Sequence, residues 1–188
     1  MGSDRRGFLK LMTSTGLAAV LGFRHISRGQ EKTKPAAGET AQENRAEKAL
    51  ALMGKYGSCC TGVLGAYAPE VGMDMELAAG AGRGMAGGIG GLGHVCGAVS
   101  GAALVIGLKT TNENNINDMA AGFKIMDTVK EFVARFEKQH SSIMCRDLIG
   151  HDISTQEKSE AAMKADAFVN CPAYVQSAVT LLDEILGR

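Results

Sequence analysis

A chain of 188 residues, 45% of them hydrophobic, carries enough apolar mass for one real core, so disorder is not its default state. With no Trp, 5% aromatics and ten Met, that core must come mainly from Ala, Leu, Val, Ile and Met, which favours close helix packing over a β-sandwich. Twenty basic and twenty acidic residues cancel, but residues 1–30 hold five basic side chains against Asp4 alone, leaving 15 basic and 19 acidic in the rest. A mildly acidic body gives no basis for nucleic-acid binding, which needs clustered Lys and Arg.

Residues 1–30 read as an address. Arg5-Arg6-Gly7-Phe8-Leu9-Lys10 precedes an apolar stretch from Leu11 to about Phe23 and resembles a twin-arginine export signal. About 13 apolar residues fall short of the roughly 20 that a membrane span needs. No Cys ends the apolar region, so nothing there supports a lipoprotein anchor. Twin-arginine signals imply transport of a folded protein, often one already loaded with a cofactor. The expected organisation is a signal over 1–30, a linker over 31–40 and a helical domain over 41–188. Periplasmic placement follows, with membrane contact only through an uncleaved N-terminus.

In the domain, Thr40-Ala41-Gln42-Glu43 reads as a capping box opening a helix to about Met53. Gly54 and Gly57 interrupt it, and a second helix begins at Cys59 or Cys60 and runs towards Pro69. Met73 to Ala81 reads as a short third helix. Ten of the 22 residues from Gly80 to Gly101 are Gly, a density that opposes regular structure, since each Gly in a helix costs about 1 kcal/mol relative to Ala. Cys96 to Leu108 is a continuous apolar run with small residues at helical spacing, expected to be a fully buried helix. Ile116, Met119, Phe123, Met126, Val129, Phe132, Val133 and Phe136 step by three and four as an amphipathic helix does. Ser154-Thr155-Gln156-Glu157 is a second capping box, for a helix towards Phe168. Pro172 suits the first turn of a last helix that buries Val175, Ala178, Val179, Leu182 and Ile185. No strand stands out, so the expected fold is an all-α, compact multi-helix bundle with a Gly-rich loop.

Two motifs mislead. Gly82-Arg83-Gly84-Met85-Ala86-Gly87 matches G-x-G-x-x-G, but a helical pattern precedes it and no acidic residue follows near position 107. Haem c attachment requires C-x-x-C-H, which is absent. Of the four histidines, His94 lies two residues before Cys96 and is a candidate extra ligand or supporting donor. No acid–base pair or nucleophile triad stands out, so turnover of a substrate is not argued.

Cysteines stand at 59, 60, 96, 145 and 171, too far apart for zinc-finger or ferredoxin-like runs. Their shared feature is position: Cys59, Cys96, Cys145 and Cys171 each sit at or just before an expected helix start. Helix N-termini offer unpaired N–H groups and partial positive charge, which should lower a thiol's pKa and suit an anionic cluster. Arg146 could add charge. Two structural disulfides and a spare thiol stay open as a competing reading in an exported chain, as does a thiol–disulfide redox protein using Cys59/Cys60 with a distant resolving cysteine.

Several blocks carry a resemblance. They are Tyr56-Gly-Ser-Cys59-Cys-Thr-Gly-Val63-Leu64, Val95-Cys96-Gly97-Ala98-Val-Ser-Gly101-Ala102, Cys145-Arg146-Asp147-Leu148-Ile-Gly150, and Cys171 with Val175. The chain resembles the C-GCAxxG-C-C family of redox-active proteins over about Ala46 to Leu186. The resemblance implies a small helical domain with four shared cysteines, which map to Cys59, Cys96, Cys145 and Cys171. Split-Soret cytochrome c is similar in this domain and carries an iron–sulfur-type centre beside its haems. Together with that resemblance, the cysteine positions point to an exported electron-transfer protein that holds a 2Fe or 4Fe iron–sulfur cluster on those four residues and passes electrons to an oxidoreductase or cytochrome. Cys60 departs from the pattern; it is an extra ligand, a resolving thiol or, the favoured role, a small buried side chain. A homodimer would cover the apolar area that Gly-rich and Met-rich surfaces leave.

Overall fold

A computed structural model describes residues 41–188. The expected export signal, the linker and the Thr40 start of the first capping box lie outside the described residues. Within them the chain is all-α, with no named strand. Its elements are α1 (Ala41–Tyr56), α2 (Cys59–Tyr67), a 3₁₀ turn (Ala68–Val71), α3 (Met75–Arg83), α4 (Gly97–Thr110), α5 (Met119–His140), α6 (Cys145–Ile149), α7 (Gln156–Lys164) and α8 (Cys171–Ile185). No helix among the described residues is long and apolar enough to cross a membrane.

α2 is the centre of the bundle, packed against α1, α3, α4 and α8. Its placement depends on glycine at the crossing points, where the missing Cβ lets backbones touch. A Cβ at Gly62 would lie 2.7 Å from the Ala49 carbonyl oxygen on α1. On α4, a Cβ at Gly97 would lie 2.9 Å from the Cys60 backbone nitrogen, and one at Gly101 would lie 3.0 Å from the Cys60 carbonyl. The Cys-Gly-Ala-x-x-Gly block is therefore a contact surface, seating α4 on α2 beside two cysteines. Leu64, Tyr67, Val105, Ile106, Phe132, Phe136, Val179 and Leu182 fill the core around that crossing.

Local chemistry sets most boundaries. Ser58 caps α2, its hydroxyl accepting the Thr61 N–H at 3.2 Å, and Asp74 caps α3 through the Leu77 N–H at 2.8 Å. α7 begins one residue later than the capping box implied, because Thr155 rather than Ser154 accepts the Lys158 N–H. α8 carries Pro172 in its first turn as expected and buries Val175, Ala178, Val179 and Leu182.

Two helices are less covered than their patterns implied. α4 was expected to be buried throughout, but Ser100, Ala103 and Leu104 face an apolar groove and Leu108 is 40% exposed. On α5, only Phe132 and Phe136 are fully buried, while Ile116 before it and Met119, Phe123 and Met126 on it are exposed. α5 rests on α4 and α8, with its buried aromatics in its C-terminal half, so nothing within the described residues covers that apolar stripe.

A polar network locks the end of the bundle away from the cysteines' helix starts. Asp183 is completely buried and receives hydrogen bonds from the Arg45 guanidinium and, at 2.8 Å, from the Tyr67 hydroxyl. Arg45 also holds Glu70 at 2.9 Å, and Arg188 pairs with Glu70 as well. Removing one partner strands a buried charge, so Arg45→Met should cost about 3–5 kcal/mol in urea unfolding. Arg45→Met with Asp183→Leu should recover much of it; equal losses would show that Asp183 does not depend on Arg45. Burial opposes ionisation of Glu70, but hydrogen bonds from Arg188 and Arg45 hold its carboxyl below the usual carboxylate range. A depressed folded-state pKa contributes stability above the ordinary value and loses it as pH falls, so wild type should weaken on acidification below about pH 4.5. Arg45→Met should flatten that slope.

Candidate functional site

Four helix starts meet at one place. Cys59, Cys145 and Cys171 are the first residues of α2, α6 and α8, and Cys96 is the residue capping α4. All four line one cavity of about 320 Å³, together with Met53, Ser58, Gly87, Gly97, Leu148, Ile149, Phe168, Pro172 and Tyr174. Every cysteine in the chain is a free thiol in this structure, so no disulfide staples these elements.

A short antiparallel bridge places Cys96 beside Cys145. Val95 pairs with Met144, so the Cys96 N–H donates to the Ile143 carbonyl at 2.8 Å and the Cys145 N–H donates to the His94 carbonyl at 2.6 Å. The glycine segment makes that bridge reachable. Gly87, Gly88, Gly90 and Gly91 all take positive φ, as does Ile89 between them at 60°, a conformation that a β-branched residue adopts only under constraint. The resulting turn lays Gly88 directly on the Cys145 side chain, where a Cβ would come within 2.8 Å. The G-x-G-x-x-G match lacks the strand–turn–helix setting of a phosphate loop: Gly82 lies in the last turn of α3, packed on Thr61 of α2.

Arg146 latches this turn rather than charging the cavity. Its Nε donates to the Gly93 carbonyl at 3.1 Å, and its terminal nitrogen lies 3.3 Å from the Leu92 carbonyl and 3.2 Å from His94 Nδ1. His94, named above as an extra-ligand candidate, is exposed and does not line the cavity. Its backbone serves the site through the Cys145 N–H; its ring turns outward to Arg146. Cys60 is also absent from the wall. Successive helical residues point about 100° apart, so Cys59 at the start of α2 faces the cavity while Cys60 is fully buried in the core. The two neighbouring thiols therefore lie in different surroundings, and Cys60 is a small buried side chain.

The expected lowering of thiol pKa at helix starts holds for one cysteine only. Burial pushes Cys96 up to about 11, although the N–H groups of Ala98 and Val99 face its sulfur and pull the other way. Burial and the charges of Cys96 and Cys171 push Cys145 up to about 12, and burial with the charge of Cys96 does the same for Cys60. Cys59 lies far above the ordinary thiol range because its S–H is held by Cys171, then because of burial and its neighbours' charges. Cys171 is lowered by that same S–H, against the cost of burial. Burial and neighbouring sulfurs outweigh the helix termini at Cys59, Cys96 and Cys145.

Three wall residues lie outside the set of predicted ligands. Met53 lies on α1 with its sulfur 3.8 Å from the Cys59 sulfur, and Ser58 both caps α2 and holds the Gly82 carbonyl at 2.9 Å. Tyr174, one turn after Cys171, ties α8 to α6 by donating to the Leu148 carbonyl at 2.9 Å. Spacing of three from Cys145 and Cys171 would have found Leu148 and Tyr174, because residues i and i+3 share a helix face.

The family described as "Putative redox-active protein (C_GCAxxG_C_C)" matches residues 57–185. The chain belongs to this family. Nothing among curated proteins or solved structures matches it. The matched span contains all five cysteines, the α2–α4 glycine crossing and the glycine turn. Among the described residues, no group of three or more His, Cys, Asp or Glu side chains is placed to hold a metal ion.

Proposed function

We propose that this protein is an exported electron-transfer protein that holds an iron–sulfur cluster on Cys59, Cys96, Cys145 and Cys171. One observation carries the reading: four thiols from four separate helix starts line one cavity that contains no carboxylate or imidazole. Soft thiolate donors without carboxylate or imidazole competitors suit iron–sulfur chemistry. A lone ion would need its donors within about 2.3 Å of one point, whereas sulfurs spread around about 320 Å³ suit a larger inorganic core.

The electrostatics support the same reading. Sulfurs whose ionisation is opposed by burial and by neighbouring sulfurs, as at Cys59, Cys96 and Cys145, gain most from a positively charged centre among them. When bound, such a cluster supplies one-electron exchange at a potential set by its surroundings. This chain's residues would set those surroundings. The Ala98 and Val99 N–H groups face Cys96, while Leu148, Ile149 and Phe168 exclude water from the wall. Cys96 and Cys145 are buried and Cys59 and Cys171 are half-buried, so electron exchange with a partner oxidoreductase or cytochrome is directed to the Cys59/Cys171 edge. Arg5 and Arg6 with Phe8-Leu9-Lys10 support export after folding and loading.

The full chain, purified without oxygen, should show visible sulfur-to-iron charge-transfer bands that bleach with dithionite and return on reoxidation. Colourless protein from every anaerobic preparation would refute the proposal.

A further inference from the structure

We infer that in the cluster-free protein Cys59 and Cys171 form a dithiol that exchanges with small disulfides, closing a reversible bridge between the starts of α2 and α8. Exposure selects the pair. Cys60 is fully buried, Cys96 is 3% and Cys145 is 7% exposed, whereas Cys59 and Cys171 are the two thiols that reach solvent. Placement agrees with exposure, since Cys59 and Cys171 line the same cavity. α2 packs on α8, and each helix contributes its first residue to the wall of that cavity. Cys171 is followed by the exposed Pro172 and Ala173, whereas Cys59 lies between the buried Ser58 and Cys60, so an incoming disulfide meets Cys171 first and Cys59 resolves.

The exchange balances without a metal. The Cys171 thiolate attacks a disulfide R–S–S–R, forming a mixed disulfide and releasing RS⁻. The Cys59 thiolate then attacks the Cys171 sulfur, closing the Cys59–Cys171 bond and releasing a second RS⁻. The two protons from the protein thiols end on the two RSH products; the protein is oxidised by two electrons and the small disulfide is reduced by two. This chemistry stands whatever the cavity otherwise holds. Only one corollary rests on the proposed function: a bound cluster occupies both sulfurs and blocks the bridge.

The test uses the full chain, stripped of metal by chelator and reductant, desalted and exposed to oxidised glutathione. Trypsin releases Cys59 and Cys60 on peptide 56–83 and Cys171 on peptide 165–188. The expected product joins these two peptides, with fragment ions between residues 59 and 60 placing the bond at Cys59. In Cys60→Ala, which keeps four cysteines, two thiols should disappear and the same bridge should form. In Cys59→Ser, Cys171 should instead retain one glutathione. A bridge from Cys60, Cys96 or Cys145, glutathione on Cys59 and Cys171 separately in wild type, or no reaction would each overturn the inference. Iron and sulfide are measured on an untreated anaerobic aliquot: a bridge without iron refutes the cluster alone, and iron without a bridge refutes the dithiol alone.

Discussion

Cys96→Ser should lower the iron content of anaerobically purified protein by more than about tenfold, a loss that even residues outside the ligand set can cause. Serine keeps the backbone N–H that donates to Ile143 and the carbonyl that accepts the Ser100 N–H, so α4 should start at the same residue. What changes is the donor. A hydroxyl is a harder and far less acidic ligand than a thiol, and Ala98 and Val99 would face an oxygen that stays protonated. Helical circular dichroism should therefore match wild type while iron, sulfide and visible absorption vanish together. Cys59→Ser, Cys145→Ser and Cys171→Ser should behave alike, and Cys60→Ala should keep its iron because that side chain lies outside the cavity. Iron retained by Cys96→Ser, or lost equally in Cys60→Ala, would contradict the ligand assignment.

Gly88→Ala should be strongly destabilising, because strain and overpacking act on it together. Its φ of +71° alone costs an L-residue about 1–2 kcal/mol. The added Cβ would also stand 2.6 Å from both the nitrogen and the oxygen of His94 and 2.8 Å from the Cys145 Cβ. Two of those atoms are backbone. They belong to the His94 N–H that donates to the Gly88 carbonyl at 3.0 Å and to the carbonyl that accepts from Cys145. Overpacking adds about 1–3 kcal/mol, for a combined destabilisation of about 2–5 kcal/mol in urea unfolding. The wedge also pushes Cys145 away from Cys96, so iron should fall with stability. Gly90→Ala is the control, with φ +60° but nothing within 4 Å of its Cβ. It should lose only the backbone cost and keep its iron. Equal behaviour of the two would show that the turn does not position Cys145.

Much of this arrangement is legible in the residues themselves. Helix starts announce themselves locally, through Ser58 before Cys59, Pro172 after Cys171 and the end of the glycine run before Cys96, so the shared position of four distant cysteines could be read without a fold. All-α architecture followed from helical periodicity and the lack of strand signals. Other features depend on tertiary contact. Periodicity names the apolar face of α5 but not whether anything covers it, which is why Met119, Phe123 and Met126 are exposed. The Val95–Met144 bridge joins two residues with no strand pattern, and only a turn of positive φ lets them meet. The thiol pKa values follow the same logic. A helix terminus is visible in sequence, but burial and the nearness of three other sulfurs are not, and those dominate. Cys60 and His94 sit beside the true wall residues in the chain yet face away, because one helical step or one turn of the bridge changes the direction.

The most direct measurement is iron and acid-labile sulfide per chain in wild-type protein isolated under strict exclusion of oxygen. Whole-number, near-equal amounts of both, of two or four per chain, are predicted for a four-thiolate cluster. Zinc in their place, or five reactive thiols with neither iron nor sulfide, would contradict it.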